Sequence, residues 1–435
     1  MAAFAAASAA SFAPVSRAAP PAARPLDGPR RAIAARMPQL PARSCKSPSA
    51  VPVVAVVAAA GLVAVRQHRG RGRISGRRSS DGVSARRVAM TLVAEAPAAA
   101  TEAGLSFEED HDGLRRIQYN KDGWSRWTWQ GVEGTGPFDC HYVAAGPVTG
   151  PPIVLVHGFG ASAYHWRYQI PALVEQGSRV YAICLIGFGW SPRVQMRYTG
   201  ELWAAQLNAF LQDVVGGPAV LVGNSIGAFV SLIAASSKPE LARALVLLNA
   251  AGRFEGGRSG AQQVDDSVAA AAEQAEPGPM QWALQQVART FATWAFFTTK
   301  LRIGSILEWV YENKAQVDEQ LIESIRSPAD HPDALDTFGE VIRAGSRTEV
   351  TVFDALDRLP TSTPLLLLWG SKDPWMRVER ASAIRAECAQ RKLSCDYVPI
   401  DAGHCPQDDA PALVNDELLS WLRAKGFASD VEVSK

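Results

Sequence analysis

The stretch "AVLVGNSIGAFV", residues 219–230, sets one serine between two glycines directly after a run of apolar residues. The apolar run is typical of a buried strand, and residues 226–237 favour a helix. Where a strand turns sharply into a helix, the backbone is crowded, and the residues flanking the exposed side chain must be small. The placement of Gly223 and Gly227 around Ser225 is therefore typical of a nucleophile elbow, which presents a serine hydroxyl at the tip of a strand.

The chain also contains the two partners that a nucleophilic serine needs. A serine hydroxyl attacks well only when a base takes its proton, and that base needs an acid to orient it. Asp373 follows the apolar run "LLLLWG" and His404 follows "YVPI". Loops after parallel strands meet at one edge of the sheet. The order Ser225, Asp373, His404 therefore predicts a catalytic triad, with Asp401 and Asp408 as the alternatives for the acid.

An acyl-transfer site also needs two hydrogen-bond donors for the oxyanion that forms during the reaction. We expect one donor to be the backbone N–H of Ile226, directly after the serine. The other is the N–H of Phe159 in the glycine-rich stretch "HGFGAS" that follows a predicted strand. His157 begins that stretch, and we interpret it as a side chain that holds the loop in place.

Short apolar runs alternate with helical stretches along most of the chain. The predicted strands are 126–131, 138–146, 153–157, 179–185, 219–223, 244–250, 365–370 and 394–400. The predicted helices are 200–215, 226–237 and 410–425. Apolar strands that alternate with helices predict an α/β fold with a mostly parallel central sheet and helices on both faces.

Residues 255–360 interrupt this alternation, because they contain helical patterns and no clear strand. We interpret this segment as a helical cap (lid) inserted between two parts of the core, 106–254 and 361–430. Residues 1–100 form a leader and linker. The cap is rich in aromatic residues that favour an apolar ligand, although packing alone also explains each one: Trp282, Phe291, Trp294, Phe296, Phe297 and Trp309.

Four stretches carry a resemblance to a known family: "PPIVLVHGFGASAYHW", "AVLVGNSIGAFVSL", "LVLLNAAGRF" and "LLLLWGSKDPW". They resemble the α/β-hydrolase superfamily, and more narrowly the plastid pheophytinase and chlorophyll dephytylase-like subgroup, whose members cleave phytyl esters. The resemblance covers roughly residues 123–425, and it is faint in the helical insertion. It implies the α/β-hydrolase fold and the triad, but it does not identify the substrate.

The resemblance also narrows the type of reaction that we expect. Epoxide hydrolases and haloalkane dehalogenases of this fold have an aspartate at the elbow, so Ser225 implies acyl-type hydrolysis. Many relatives have an acid where this chain has Cys184, and we expect that difference to affect stability more than catalysis. The sequence thus predicts a serine hydrolase of a hydrophobic lipid- or pigment-type ester. A low-turnover ligand sensor, a thioesterase and a carbon–carbon bond hydrolase remain alternatives.

Charge is distributed unevenly along the 435 residues, although the net charge is only +1. Residues 1–80 hold 13 of the 44 Lys and Arg residues but only one of the 43 acids, Asp27. A leader rich in Arg, Ser and Ala and poor in acids is typical of a transit peptide. We expect a plastid location, with the mitochondrion as the alternative. The body has no basic stripe, which argues against nucleic-acid binding.

The leader contains an apolar run, residues 51–65, which is shorter than the ~20 residues that span a bilayer as a helix. Two interpretations of this run remain open: a membrane-engaged segment, with transient membrane association, and a linker or processed peptide.

We expect no metal and no cofactor, because no ligand spacing for either is present. The cysteines form no CxxC pair, and we expect free thiols at Cys45, Cys140, Cys184, Cys388, Cys395 and Cys405. The partner that we expect is a small hydrophobic substrate, and the oligomeric state is left open.

Overall fold

A computed structural model describes residues 105–254 and 301–428 of the chain. The leader 1–100 and its apolar run 51–65 lie outside the described residues. So do Cys45 and five of the six aromatic residues named in the cap: Trp282, Phe291, Trp294, Phe296 and Phe297. Trp309 is described.

Ten strands form two sheets within the described residues. Their bounds are β1 Phe107–Glu109, β2 Arg115–Ile117, β3 Ser125–Trp129, β4 Phe138–Ala145, β5 Pro152–Val156, β6 Arg179–Ile183, β7 Ala219–Asn224, β8 Ala242–Leu248, β9 Leu365–Gly370 and β10 Cys395–Ile400. β1 and β2 make a small antiparallel pair. The other eight make one sheet in the order β3-β4-β6-β5-β7-β8-β9-β10.

The large sheet is mostly parallel, as the sequence predicts. The neighbours from β6 to β10 pair in parallel. β4 pairs antiparallel with both β3 and β6, so β4 runs against the rest of this sheet. Parallel strands are buried on both faces and therefore read as continuous apolar runs. β9, with the sequence "LLLLWG", is buried along its whole length.

The three helices predicted with bounds, 200–215, 226–237 and 410–425, are present with differences of a few residues at their ends, and further helices flank and cap the sheet. Their bounds are α1 Gln169–Glu175, α2 Gly200–Phe210, α3 Ile226–Ser237, α4 Ile303–Val310, α5 Glu319–Arg326, α6 Ala334–Arg347, α7 Val352–Asp357, α8 Val378–Arg391, α9 Pro406–Asp409 and α10 Pro411–Ala424. The helix predicted at 200–215 widens into a π-helical turn, Leu211–Val215, which ends at Gly216 in the left-handed conformation.

Helices cover both faces of the sheet. Val220 and Val222 of β7 lie in one hydrophobic cluster with residues of α1 and α10. Leu221 points to the opposite face, because side chains alternate along a strand, and it is equally buried. α2 and α7 pack against α3, and α8 packs against α7. This is the α/β architecture that the sequence predicts.

The described part of the predicted cap is helical. α4, α5 and α6 lie between β8 and β9 in the chain, whereas α7, in the same inserted segment, packs against the core helices α3 and α8. Among residues 105–254 and 301–428, no helix combines the length and the apolarity that crossing a bilayer requires.

Close backbone contact explains the two glycines of the opening motif. A Cβ on Gly223 would lie 2.4 Å from the carbonyl oxygen of Gly227. A Cβ on Gly227 would lie 2.1 Å from the carbonyl oxygen of Val156, in β5. Helix α3 therefore begins in direct contact with the backbone of the sheet, and only glycine allows this approach.

Gly227→Ala is expected to destabilise the fold, because its methyl group must displace the backbone of β5. We expect a loss of about 1–3 kcal/mol, or more, in the free energy of unfolding, measured by urea denaturation. Gly217→Ala is the matched control, because a Cβ there meets nothing within 4 Å. An equal stability for the two variants would contradict this account of the elbow.

Candidate active site

Ser225 occupies a backbone conformation that residues other than glycine rarely adopt, with φ 55° and ψ −117°. It lies between the end of β7 and the start of α3. Its amide donates to the carbonyl of Leu248 at 2.9 Å, and its carbonyl accepts the amide of Ala251 at 3.0 Å. These contacts with the last residue of β8 and with the loop that follows it hold the strained residue in place, as a nucleophile elbow requires.

The three residues of the predicted triad are brought together at the carboxyl edge of the sheet. The Nε2 atom of His404 lies 3.0 Å from the Oγ atom of Ser225. The Nδ1 atom of His404 lies 2.7 Å from the Oδ2 atom of Asp373. With Nδ1–H donating to the carboxylate, Nε2 keeps a lone pair that accepts the serine hydroxyl. This arrangement can transfer the serine proton to the imidazole.

Hydrogen bonds hold the Asp373 carboxylate in the charged form. Oδ2 also accepts the side-chain amide of Asn249 at 2.7 Å, and Oδ1 accepts the backbone N–H of Trp375 at 2.7 Å. Burial works to raise the pKa of Asp373, but the neighbouring His404 and the donors outweigh it, so the pKa lies below its usual range. A charged carboxylate at this place can orient the imidazole and stabilise its protonated form.

The glycine-rich loop after β5 lies against Ser225. A Cβ on Gly158 would be 3.2 Å from the Cβ of Ser225. His157 donates from Nδ1 to the carbonyl of Gly158 at 2.7 Å and accepts the N–H of Leu185 on Nε2 at 3.1 Å. Burial lowers the pKa of His157 to about 4, so the ring is neutral and serves to hold the loop. The loop thus passes beside the nucleophile, and the oxyanion role of Phe159 and Ile226 stays a prediction.

The alternative acids near the histidine bind other partners. Asp401 is 71% exposed in its side chain and pairs with Lys372 at 2.9 Å. Asp408 is buried and pairs with Arg167, 2.7 Å from Oδ1 to Nε. Of the three acids considered for the triad, Asp373 is therefore the one that contacts the imidazole.

Cys184, the residue that replaces an acid of many relatives, is buried and bonded. Its Sγ accepts the backbone N–H of Ala163 at 3.3 Å and lies 3.2 Å from Nδ1 of His141. Burial raises the pKa of Cys184 to about 11, so the sulfur stays a neutral thiol. The thiol accepts contacts that a carboxylate would also accept, which agrees with a structural role at this position.

Two residues at the site were not predicted. Asn249 directly follows β8, and its side chain binds both Asp373 and the backbone of Gly370. Trp375 packs its ring edge-on against the His404 ring, with centroids 4.9 Å apart. A polar residue at the end of an apolar strand was the available signal for Asn249. No comparable signal marked Trp375, because its contact spans two loops.

The comparison with known families agrees with the fold. The sequence profile described as "Alpha/beta hydrolase family" matches residues 153–417. The chain belongs to this family. The match extends from β5 almost to the end of α10, and it includes all three residues of the predicted triad.

The curated relatives include enzymes with different printed activities. "Pheophytinase, chloroplastic" from Arabidopsis thaliana is 24% identical over 320 residues, which are 65% of this chain and 64% of the relative. "Bifunctional epoxide hydrolase 2" from Rattus norvegicus is 27% identical over 317 residues, 66% of this chain and 53% of the relative. The chain thus spans less than two thirds of the length of these relatives.

Solved structures share the fold. The enol-lactonase from Burkholderia xenovorans LB400 matches with a TM-score of 0.51 and 18% identity, over 68% of this chain and 100% of that chain. The bromoperoxidase from Bacillus anthracis matches with a TM-score of 0.51 and 19% identity, over 69% and 100% respectively. The central sheet and its helices are those of an α/β hydrolase, as predicted.

Asp373→Asn is expected to lower kcat steeply, by on the order of 10⁴-fold if the imidazole tautomer matters as in other triads. The amide cannot hold Nδ1–H as the charged acceptor does. Ester hydrolysis measured with the purified variant tests this. Asp401→Asn is the control, because that exposed carboxylate pairs with Lys372. A near-normal kcat for Asp373→Asn would remove this residue from the triad.

Proposed function

We propose that this hydrolase cleaves a hydrophobic carboxylic ester by forming an acyl-enzyme on Ser225. The observation that carries the proposal is the continuous hydrogen-bonded path from the Ser225 hydroxyl through His404 to the buried Asp373. Nucleophile, base and orienting acid in this order make up the machinery of acyl transfer on several unrelated folds.

The acylation step follows from these contacts. The Oγ atom of Ser225 attacks the ester carbonyl while Nε2 of His404 takes its proton. The carbonyl oxygen becomes an oxyanion, which the backbone N–H groups of Phe159 and Ile226 stabilise. The N-terminus of α3 adds favourable dipole potential at the same place. The tetrahedral intermediate then collapses, and His404 gives its proton to the departing alcohol.

The deacylation step uses the same groups with water as the nucleophile. His404 takes a proton from water, and the resulting hydroxide attacks the acyl carbonyl on Ser225. When the second tetrahedral intermediate collapses, the proton on Nε2 returns to Oγ. The products are an alcohol and a carboxylic acid, and the enzyme is restored.

Aromatic side chains around the triad support an apolar substrate. Phe159 in the predicted oxyanion loop packs against Phe188 of the core, at 5.8 Å between centroids, and against Phe338 of α6, at 5.9 Å. On the histidine side, Trp375 packs edge-on against His404. Trp309 of α4 in turn packs edge-on against Trp375, with centroids 5.5 Å apart.

The exposure of Trp309 is the part of this arrangement that points to a ligand. It is 62% exposed although it belongs to a chain of aromatic contacts that ends at the catalytic imidazole. Large exposed aromatic surface is unfavourable in water and is common where an apolar partner binds. A long acyl or alcohol chain, or a flat ring, would cover it.

A named relative and the composition of the leader support the proposed substrate class and location. A curated relative is named a chloroplastic pheophytinase, and the basic, acid-poor leader is typical of a transit peptide. We therefore propose a plastid enzyme that acts on lipid- or pigment-type esters, with the mitochondrion as the alternative location. The likeness in fold and motif supports this class but does not by itself identify the substrate.

Specificity constants for acetate, octanoate and palmitate esters test the substrate class. A buried methylene contributes about 0.8 kcal/mol, so kcat/KM is expected to rise about fourfold for each methylene until the site is full. Ser225→Ala is the control that shows whether any group other than Ser225 hydrolyses the esters. It should remove activity on all three esters while the fold remains intact. A profile that peaks at acetate would contradict the apolar substrate. Tight binding of the esters without turnover would favour the ligand sensor.

Trp309→Ala in the same assay separates a binding role of this residue from simple packing. It should lower kcat/KM for palmitate about fivefold, because an aromatic contact contributes about 1 kcal/mol, and it should leave acetate unchanged. Leu413→Ala is the matched control, because Leu413 is an exposed apolar residue on α10, outside this chain of aromatic contacts.

A further inference from the structure

The loop that carries His404 is held by the buried carboxylate of Asp409, five residues further along the chain. Asp409 is 2% exposed and accepts three backbone N–H groups. Oδ2 accepts Gly403 at 2.6 Å and Glu312 at 2.9 Å, and Oδ1 accepts Asn313 at 2.7 Å. One donor belongs to the residue next to the histidine, and the other two belong to the segment that follows α4. The side chain of Asp409 thus connects the loop that carries His404 to the residues that follow α4.

A direct main-chain contact makes the same connection. The backbone N–H of His404 donates to the carbonyl of Val310, the last residue of α4, at 2.9 Å. Gly403 allows this approach, because a Cβ there would lie 2.0 Å from the same carbonyl oxygen. The end of α4 and the histidine loop are therefore in contact without any intervening side chain.

Asp408 makes a second, fully buried connection to the same segment. Its Oδ1 accepts Nε of Arg167 at 2.7 Å, and its Oδ2 accepts the hydroxyl of Tyr311 at 2.8 Å. Arg167 also donates to both oxygens of Asp318, at 2.9 and 2.8 Å, and to the carbonyl of Gln316 at 2.9 Å. Two neighbouring carboxylates of α9, which directly follows the loop that carries His404, are thus connected to residues 311–318, either directly or through Arg167.

The cost of burying these charges argues against stability as their main role. Burial raises the pKa of Asp408 even though Arg167 opposes the shift. A buried ion pair contributes little net stability, because losing water costs about as much as the ions regain from each other. Well-packed apolar side chains would hold the two segments together at least as firmly. Oriented hydrogen bonds fix their relative position more narrowly than apolar contacts do.

We infer that Asp409 is a positioning residue for His404, which sets the reach of the imidazole toward Ser225 through the backbone of Gly403 and the segment 310–313. The inference rests on the proposed function. The hydrogen bond between Nε2 and Oγ is 3.0 Å long, and such bonds weaken steeply with distance and angle. A shift of the loop by about 1 Å can lower the rate of a positioned reaction by about 10²-fold. The position of α4 therefore affects how well the imidazole of His404 can take the proton of Ser225.

Asp409→Asn keeps the size of the side chain and replaces one acceptor oxygen with an NH₂ donor group. Whichever way the amide turns, its NH₂ group faces at least one backbone N–H that the carboxylate accepted. We expect kcat for an acetate ester to fall about 10- to 100-fold, while KM changes by less than about twofold. Rates are expressed per active site, with sites counted by reaction with a fluorophosphonate, so that unfolded protein does not enter the comparison.

Glu201→Gln is the matched control, because the Glu201 carboxylate likewise accepts two backbone N–H groups of the inserted segment, from Glu349 and Val350, outside residues 310–313. It should leave kcat per active site unchanged. Equal falls in both variants, or a normal kcat for Asp409→Asn, would overturn the inference. A wild-type protein that neither hydrolyses esters nor reacts with the fluorophosphonate would instead overturn the proposed function.

A second variant keeps the test decisive if Asp409→Asn does not fold. Tyr311→Phe removes the hydroxyl that donates to Asp408 and lies 2.7 Å from Nε2 of His165, so it loosens the segment 310–313 through which Asp409 acts. We expect a fall in kcat of about three- to tenfold at unchanged KM, on the scale of one or two lost buried hydrogen bonds. Tyr198→Phe is its control, since that buried ring bonds through its hydroxyl to Val194. Equal kcat values for the two phenylalanine variants would contradict the inference.

Discussion

The site depends on the strained turn at Ser225. A serine with φ 55° and ψ −117° costs on the order of 1–3 kcal/mol relative to ordinary backbone, and glycine would relieve that strain. The side chain remains because the hydroxyl has to project from the tip of β7, between the loops after β5 and β10. Backbone bonds to the end of β8 hold the turn, and glycines on either side let α3 start against the sheet. The sheet is therefore the rigid support that positions the Ser225 hydroxyl.

The histidine, in contrast, belongs to two parts of the fold at once. Its ring is oriented by Asp373, which follows β9 in the core. Its backbone is bonded to the end of α4 in the inserted helical segment. In the proposed mechanism, the sheet fixes the nucleophile and the inserted helical segment holds part of the base, so the two align only when these parts are correctly docked. On this proposal, the inserted segment contributes to catalysis in addition to any contact with substrate.

The sequence was sufficient for the eight strands of the large sheet, for three of the helices and for the three residues that meet at the edge of the sheet. Apolar runs mark parallel strands, and Ser225, Asp373 and His404 each follow one, so their convergence is a consequence of topology. Asn249, Trp375 and Asp409 were not predicted as site residues, because their roles depend on which distant backbone or ring they contact. The π-helical turn after α2 and the small β1–β2 pair were missed as well, since both depend on local packing more than on periodicity.

The central claim is that Ser225 is the nucleophile, and the most direct test is to map where a fluorophosphonate attaches. The account predicts one phosphonyl group per chain, located by mass spectrometry on the peptide that contains Ser225, with ester turnover lost in proportion to labelling. A label on another residue, or full turnover in completely labelled protein, would contradict it.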